Sequence, residues 1–296
     1  MSKEAKLIHD FGIEIEVKHV KRRDVAEMIA DYFNTVYHRE HDYYDTYLIR
    51  NREGRRVRVW KCMSDGSLND GNKGCEIVSP ILQYCDKDLN DLKNILERLK
   101  LQFPVVDHEC SIHIHIDATR LTLETLVKLQ KLWFTYEDLI YRALQVKESR
   151  EERYCKKTDS YFIFQLLEKK SIDYDTFKDF WYGQSNEDEE DDAKYNSSRY
   201  HSLNYHCYFR QGTVEFRLFN GTIDFDTINS YIQFCQAVVS QAMEMHRSKG
   251  KKVKSYNEKF TMRNWLRKLG LNGDKFKICR KVLMENLSGN SAQRFN

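Results

Sequence analysis

Apolar and polar residues alternate over residues 7–18, where the first strand of the chain is predicted. The apolar face carries Phe11, Ile13, Ile15 and Val17, and the polar face carries Gly12, Glu14, Glu16 and Lys18. A two-residue period is typical of a strand with one buried face. Similar patterns predict strands over residues 55–61, 75–79, 110–117, 200–208 and 212–219, the last two joined as a hairpin through 210–212.

Apolar residues spaced three and four apart predict helices between these strands. The predicted helices cover residues 24–33, 87–100, 123–144, 160–181 in pieces, 226–245, and 261–287 as two short helices broken near 270–273. Aspartate is a common helix cap, so we expect Asp24 at the start of the first helix.

The composition indicates a globular protein without a strong electrostatic bias. The 296 residues accommodate one large domain or two small ones. The low content of Pro (2) and Gly (12) argues against a disordered or fibrous chain. The 48 basic and 45 acidic residues leave a net charge of +3, which creates no global field towards nucleic acid or a membrane, so neither is an expected partner.

The lack of a recognisable targeting signal and the spacing of the cysteines predict a cytoplasmic protein. No stretch approaches the roughly 20 apolar residues of a membrane helix, and residues 1–6 contain no apolar signal segment. The 8 Cys are scattered without a CxxC pair, so we expect reduced, mostly buried thiols. The acidic run at 187–192 is expected to be a solvated loop.

Four of the predicted strands carry ionisable residues in the middle of their polar faces. These residues are Glu14 and Glu16, then Glu76, then His113 and His115, and finally Glu215 and Arg217. A sheet with one buried face usually turns Lys, Thr and Ser to water on the other face. If the four strands are neighbours, their carboxylates and imidazoles converge on one surface.

Converging carboxylates point to divalent cations. Carboxylates a few ångströms apart repel and raise one another's pKa, and a bound cation removes that penalty. Oxygen ligands with an occasional His suit Mg²⁺ or Mn²⁺ better than zinc. Such ions hold the phosphates of ATP in phosphoryl-transfer enzymes, and the planar guanidinium of Arg217 could clamp a phosphate beside them.

Each pair taken alone has a simpler interpretation. A Glu-x-Glu or a His-x-His on a strand is more often a solvated face than a metal site. Glu215 and Arg217 could form a surface ion pair, which contributes little to stability. Their joint occurrence on strands, with matching faces, favours a common site.

Six segments, in their order along the chain, resemble the amidoligase family of carboxylate–amine ligases. The segments are FGIEIE at 11–16, DGS at 65–67, GCEIVSP at 74–80, IHIH at 112–115, RY followed by LN at 199–204, and GTVEFRLF at 212–219. That family belongs to the fold group of glutamine synthetase and glutamate–cysteine ligase. The sequence departs from the family in one place, because Ser111 stands where relatives commonly have Gly, and its side chain could narrow the approach to the sheet.

The resemblance implies the fold and the domain organisation. It implies an α+β protein with a bent antiparallel sheet and helices packed on its outer face, the glutamine synthetase-like fold. Residues 1–250 would form the catalytic domain. Residues 251–296 would form a basic linker and a small helical extension, which could bind a protein partner.

The resemblance also implies roles for individual residues. Positions that hold metal ions in relatives correspond to Glu14, Glu16, Asp65, Glu76, His113 and Glu215. Arg217 corresponds to a residue that contacts the nucleotide phosphates or the acyl phosphate. Arg199 and His115 correspond to positions lining the phosphate or carboxylate pocket, and Ser67 is a further candidate for nucleotide binding.

The expected activity is an ATP- and Mg²⁺-dependent ligase that forms an amide, peptide or isopeptide bond through an acyl phosphate. Its substrates would be a carboxylate and an amine of an amino acid, a peptide or a modified macromolecule. A metal-dependent hydrolase that uses His113 and His115 to activate water is one alternative. A non-catalytic protein that binds nucleotide, or binds a partner through the basic residues 249–254, is another.

Overall fold

Strands and helices alternate along the chain in a computed structural model that describes residues 4–68, 70, 73–184, 190–191 and 193–292. The described strands are β1 (Phe11–Val17), β2 (Tyr37–Arg39), β3 (Tyr47–Glu53), β4 (Arg56–Met63), β5 (Cys75–Val78), β6 (Ser111–Asp117), β7 (Leu203–Asn204) and β8 (Thr213–Asn220). The described helices are α1 (Arg22–Tyr32), α2 (Asp86–Lys100), α3 (Leu123–Leu144), α4 (Glu148–Arg153), α5 (Ser160–Glu168), α6 (Tyr174–Tyr182), α7 (His206–Gln211), α8 (Phe225–Glu244), α9 (Glu258–Lys268) and α10 (Lys277–Val282).

The chain forms two compact units. Unit 1 contains the described residues of 4–7, 116–218 and 230–292, and unit 2 contains those of 8–115 and 219–229. The mixture of helices and antiparallel strand pairs confirms the α+β class. The glutamine synthetase-like fold and a domain boundary at residue 250 remain predictions.

Unit 2 is a sheet covered by two helices. Its strands follow the order β2-β3-β4-β5-β1-β6. Each neighbouring pair from β2 through β1 in this order is antiparallel. The apolar face of β1 is buried as its alternation predicts. Helix α1 packs on β3 and β4 and contacts α2. The pairing of β1 with β5 places Glu16 directly across from Glu76.

Unit 1 is built around helix α3. Thr122 caps this helix by accepting a hydrogen bond from the Thr125 N–H, and Trp133 is fully buried in its middle. The indole of Trp133 donates to Ser202 Oγ at 2.9 Å and meets Phe216 of β8 edge to face, with ring centroids 5.2 Å apart. The short strand β7 pairs antiparallel with β8, so that Asn204 lies opposite Glu215.

A fully buried carboxylate on α3 joins three other parts of unit 1. Glu137 accepts hydrogen bonds from the Thr158 N–H at 2.8 Å, the Ser202 hydroxyl at 3.1 Å and the Lys252 ammonium at 3.0 Å. Burying a carboxylate without partners would be costly, so these donors stabilise the arrangement. Lys252 of the basic stretch is therefore engaged within the fold.

Most predicted elements occur within a few residues of their predicted bounds, but two expectations are wrong and one strand pair was not predicted. Residues 200–208 do not form one strand, because a 3₁₀ turn at Ser197–Tyr200 and helix α7 flank the two-residue β7. The Asn204 side chain accepts from the His206 N–H at 2.8 Å and so favours a helical start there. Helix α7 ends at Gly212, whose φ of 74° suits glycine.

The start of helix α1 and the strand pair β2–β3 also differ from expectation. Lys21, and not Asp24, occupies the N-cap position; Asp24 lies in the first turn, where a negative charge favours the helix dipole. The pattern over residues 37–53 did not predict β2 or β3. Strand β2 pairs with β3, and β3 pairs with β4; this pairing, which local alternation does not encode, gives both strands their structure.

The cysteines and the helices match the expectations from composition. All eight cysteines lie in described residues, none of them forms a disulfide, and six are buried. No helix among the described residues has the length and apolar character needed to cross a membrane. Most of the acidic run at 187–192 lies outside the described residues, and Glu190 and Asp191 are exposed.

Replacement of Leu96 tests the packing of α2. Leu96 is fully buried, so Leu96→Ala should lower the free energy of unfolding by about 2–5 kcal/mol through lost burial and a new cavity. The neighbouring Glu97 is exposed, and Glu97→Ala should change it by about 0.5 kcal/mol or less. Urea unfolding followed by circular dichroism measures both; similar losses in the two variants would contradict the assigned face.

Candidate functional site

The polar face of unit 2 gathers carboxylates and imidazoles from three strands. Glu14 and Glu16 project from β1, Glu76 from β5 and His113 from β6, on the same side because strand side chains alternate. Glu16 is 2 % exposed and Glu76 8 % exposed. The solvated-face interpretation of the Glu-x-Glu pair is therefore wrong for Glu16.

His113 lies between the two glutamates of β1. Its Nδ1 is 2.8 Å from Glu14 Oε2, and its Nε2 is 3.9 Å from Glu16 Oε1. His115 Nε2 lies 3.2 Å from the other oxygen of Glu14. Both imidazoles face the glutamates of β1, so the interpretation of the His-x-His pair as an exposed face is also wrong.

Ser111 orients the same group. Its backbone N–H and its hydroxyl both donate to Glu16 Oε2, each at 2.7 Å, and its hydroxyl is 2.9 Å from His113 Nε2. When the hydroxyl donates to Glu16, His113 Nε2 donates to the hydroxyl. The sequence marks Ser111 only as a departure from Gly, whereas the structure gives it partners on β1 and β6.

Burial and mutual repulsion set the protonation of these carboxyl groups. Burial, together with Glu14, Asp65 and Glu16, raises the pKa of Glu76 well above its usual value. Burial also raises the pKa of Glu16, against the opposing effect of His113. Burial acts in the same direction on Glu14, but His115 and His113 outweigh it and hold its pKa well below the usual value.

Asp65 and Ser67 lie on the turn between β4 and β5. The Ser67 N–H donates to Asp65 Oδ1 at 2.7 Å, and the Ser67 hydroxyl donates to the same oxygen. The Asp65 carboxylate is near enough to disfavour ionisation of Glu16 and Glu76. The structure thus brings Asp65 to the carboxylate group, and Ser67 holds Asp65 in place.

The residues of unit 2 fit a hard divalent cation. Ligand atoms of Glu16, Glu76 and His113 all lie within 4.8 Å of one another. Carboxylate oxygens with one imidazole form the donor set that Mg²⁺ and Mn²⁺ accept. A cation would also favour the ionised form of Glu76, which its neighbours oppose.

Unit 1 holds a second polar group around Glu215, which is 1 % exposed. Arg217 Nη1 donates to Glu215 Oε1 at 2.6 Å. Asn204 Nδ2 and the Cys207 thiol donate to Oε2 at 2.6 and 3.1 Å. Only 11 % of the Arg217 side chain is exposed, so the interpretation of this pair as a surface ion pair is wrong. Sequence reasoning gave no role to Asn204 or Cys207.

Arg199 and Arg217 approach the same aromatic ring. The Arg199 guanidinium lies 5.0 Å from the centroid of Tyr200 and the Arg217 guanidinium 5.9 Å from it. The Arg150 guanidinium supports this region by donating hydrogen bonds to the backbone carbonyls of Arg217 and Leu218 in β8. Unit 1 thus brings the two predicted phosphate-binding arginines together.

Comparison with known families agrees with these observations. A family model described as "Putative amidoligase enzyme" matches residues 8–239, which include all six segments quoted above. The match confirms the family resemblance, and residues 240–296 lie beyond it. No curated protein matches the chain.

Replacement of the ionisable Glu76 carboxyl group should stabilise the protein when no metal is present. Because the pKa of folded Glu76 is raised, the folded protein keeps a proton that the unfolded chain releases, and stability falls as pH rises above the usual value for Glu. Glu76→Gln removes this pH-dependent loss of stability. The free energy of unfolding of the variant should therefore exceed that of the wild type by a margin that grows between about pH 5 and about pH 8.

Thermal unfolding in metal-free buffer at several pH values measures this difference. Glu97→Gln, which alters an exposed carboxyl group of the same unit, should show no such growth. A Glu76→Gln variant that is less stable than the wild type at every pH would contradict the stated cause.

Proposed function

The chain belongs to the amidoligase family, and on that premise we propose that it is an ATP- and Mg²⁺-dependent ligase that joins a carboxylate to an amine. The observation that carries the proposal is the arrangement of Glu16, Glu76 and His113, three ligand-type residues whose donor atoms lie within 4.8 Å of one another. Glu14 and Asp65 lie beside them and would complete the metal-binding set.

The residues of the chain would bind and orient the substrates. Glu16, Glu76 and His113 would hold Mg²⁺, which would supply positive charge to offset the charge that develops in phosphoryl transfer. Arg217 and Arg199 would hold the phosphates through their planar guanidinium groups. We assign His115 to the phosphate or carboxylate pocket, Ser67 to nucleotide binding and Glu215 to the metals, on the basis of the sequence segments that contain them.

The proposed reaction has two steps. An oxygen of the substrate carboxylate attacks the γ-phosphorus of ATP, the bond to the β,γ-bridging oxygen breaks, and ADP leaves. The amine nitrogen then attacks the acyl carbon, inorganic phosphate leaves, and the nitrogen loses a proton to give the amide. Neither step needs a covalent nucleophile from the protein.

Nucleotide turnover with paired substrates tests the proposal directly. The protein is incubated with ATP and Mg²⁺ and with pools of amino acids and peptides, and ADP release and new amide masses are measured. ADP should appear only when a carboxylate and an amine are both present. Hydrolysis of amides or phosphoesters with Mg²⁺ and without nucleotide would overturn the proposal in favour of a hydrolase.

Substitution of a single carboxylate should separate catalysis from folding. Glu16→Gln keeps the shape of the side chain but removes a charge from the metal-binding set, so ligation should fall at least about 100-fold. The exposed Glu97→Gln should retain activity within about twofold. If Glu16→Gln retained wild-type activity with an unchanged Mg²⁺ requirement, the metal assignment would be wrong.

Ser111 should affect metal affinity through the residues it orients. Ser111→Ala removes the hydroxyl hydrogen bond to Glu16 and the contact with His113. Loss of such an orienting partner typically weakens metal binding about 10–100-fold. Titration calorimetry with Mn²⁺ measures the change, and the exposed Ser149→Ala serves as the control. Equal affinities in the two variants would show that Ser111 does not orient the ligands.

A further inference from the structure

A strongly basic cavity lies in unit 1, in a region that the proposed ligase activity does not use. It has a volume of about 440 Å³ and is walled by the first half of α3, by residues 169–172 and by residues 246–248. Its charged lining residues are Lys128, Lys131, Lys169, Lys170, Arg247 and Glu124. We propose that this cavity binds the polyphosphate group of a small molecule.

The charge balance of the lining is the first argument. Five basic side chains and one carboxylate line the cavity. That carboxylate, Glu124, is 76 % exposed and lies 3.1 Å from Lys128, so it offsets little of the remaining charge. The chain as a whole carries a net charge of only +3. A local excess of this size, in a concave surface, attracts anions strongly.

Lys131 supplies the second argument. Its side chain is partly buried, and burial alone lowers the pKa of its ammonium group. Among the described residues, no carboxylate lies within 4.0 Å of that ammonium group to offset the loss of water. A bound anion would supply the missing partner.

The backbone around the cavity holds its walls in place. Gly250 has a φ of 56°, and a Cβ there would come within 3.3 Å of Lys131 Cγ, so the glycine lets the chain lie close to the lysine stem. Lys128 Nζ donates to the Met245 carbonyl at 3.0 Å, which ties α3 to the end of α8. The cationic side chains thus project from a packed support.

The size and chemistry of the cavity favour a polyphosphate over a single phosphate ion. Its volume falls in the range of small-molecule sites, about 300–1,000 Å³. Ammonium groups act as point charges on phosphate oxygens, and several of them can share the negative charge of a diphosphate or triphosphate. Val127 and Ile172 in the lining offer apolar surface to the rest of such a molecule.

Binding of sodium tripolyphosphate, measured by titration calorimetry in metal-free buffer, tests the proposal. Without a divalent cation, the carboxylates of unit 2 repel phosphate. The signal then reports on other parts of the protein, and the Lys131 variants distinguish the cavity from the Arg199 and Arg217 pair. We expect one saturable site with about one ligand per chain. Lys131→Gln should weaken binding about tenfold, and Lys131→Gln combined with Arg247→Gln about 100-fold.

Matched variants separate a specific site from general attraction to a basic protein. Lys254→Gln and Lys268→Gln remove the same charge elsewhere in unit 1 and should change the affinity by less than about twofold. Lys131→Arg keeps the charge and should retain binding within about threefold. Thermal unfolding of each variant verifies that it is folded.

Three results would overturn the proposal. One is equal weakening by Lys131→Gln and Lys254→Gln, which would indicate general attraction. A second is citrate binding as tightly as tripolyphosphate, which would indicate a site for any polyanion. A third is the absence of saturable binding. Comparison of ADP with inorganic diphosphate then identifies which kind of molecule carries the bound polyphosphate group. Tighter binding of ADP supports a nucleotide, and equal binding supports recognition of the diphosphate alone.

These outcomes are independent of the ligase activity. If tripolyphosphate binds as expected but no amide is formed, the cavity is a site on a protein with another function. If ligation occurs but the titrations show no saturable site, the activity stands and the cavity assignment fails.

Discussion

Repulsion among carboxylates buried on one face of a sheet is the constraint on which the candidate site depends. The pairing of β1 with β5 sets Glu16 directly across from Glu76, and Asp65 adds a further negative charge. A protein can tolerate such a group only if protons, cationic side chains or metal ions offset the charge. Here His113 and His115 keep Glu14 ionised, while Glu76 is pushed towards its protonated form.

The two units meet the same constraint in different ways. In unit 1 every oxygen of the buried Glu215 carboxylate has a donor, from Arg217, Asn204 or Cys207. In unit 2 the pKa of Glu76 remains raised, so that carboxyl group is the one to which a cation would bring the largest change. The partners of Glu215 therefore satisfy its charge within unit 1, whereas β1, β5 and β6 bring together residues whose donor atoms suit a divalent cation.

Membership of the amidoligase family connects this chemistry to amide-bond formation. A ligase of this kind relies on charge neutralisation and orientation, not on a covalent nucleophile, and the residues of both units have those properties. The basic cavity of unit 1 is a different surface with the opposite charge. The net charge of +3 is a sum over the whole chain and therefore reveals neither the acidic cluster nor the basic cavity.

The sequence by itself determined the elements with strong periodicity, the ligand types and the family. Backbone geometry sets the two-residue period of a strand and the 3.6-residue period of a helix. Strand β1 and helix α3 could therefore be predicted from the apolar pattern of neighbouring residues. The structure decided what depends on contacts between separate elements, whether these are near or distant in the chain. The hydrogen bonds of Ser111 to Glu16, the donors of Asn204 and Cys207 to Glu215, and strands β2 and β3 all arise from pairing between separate segments. Such contacts follow from register and packing, which no local pattern specifies.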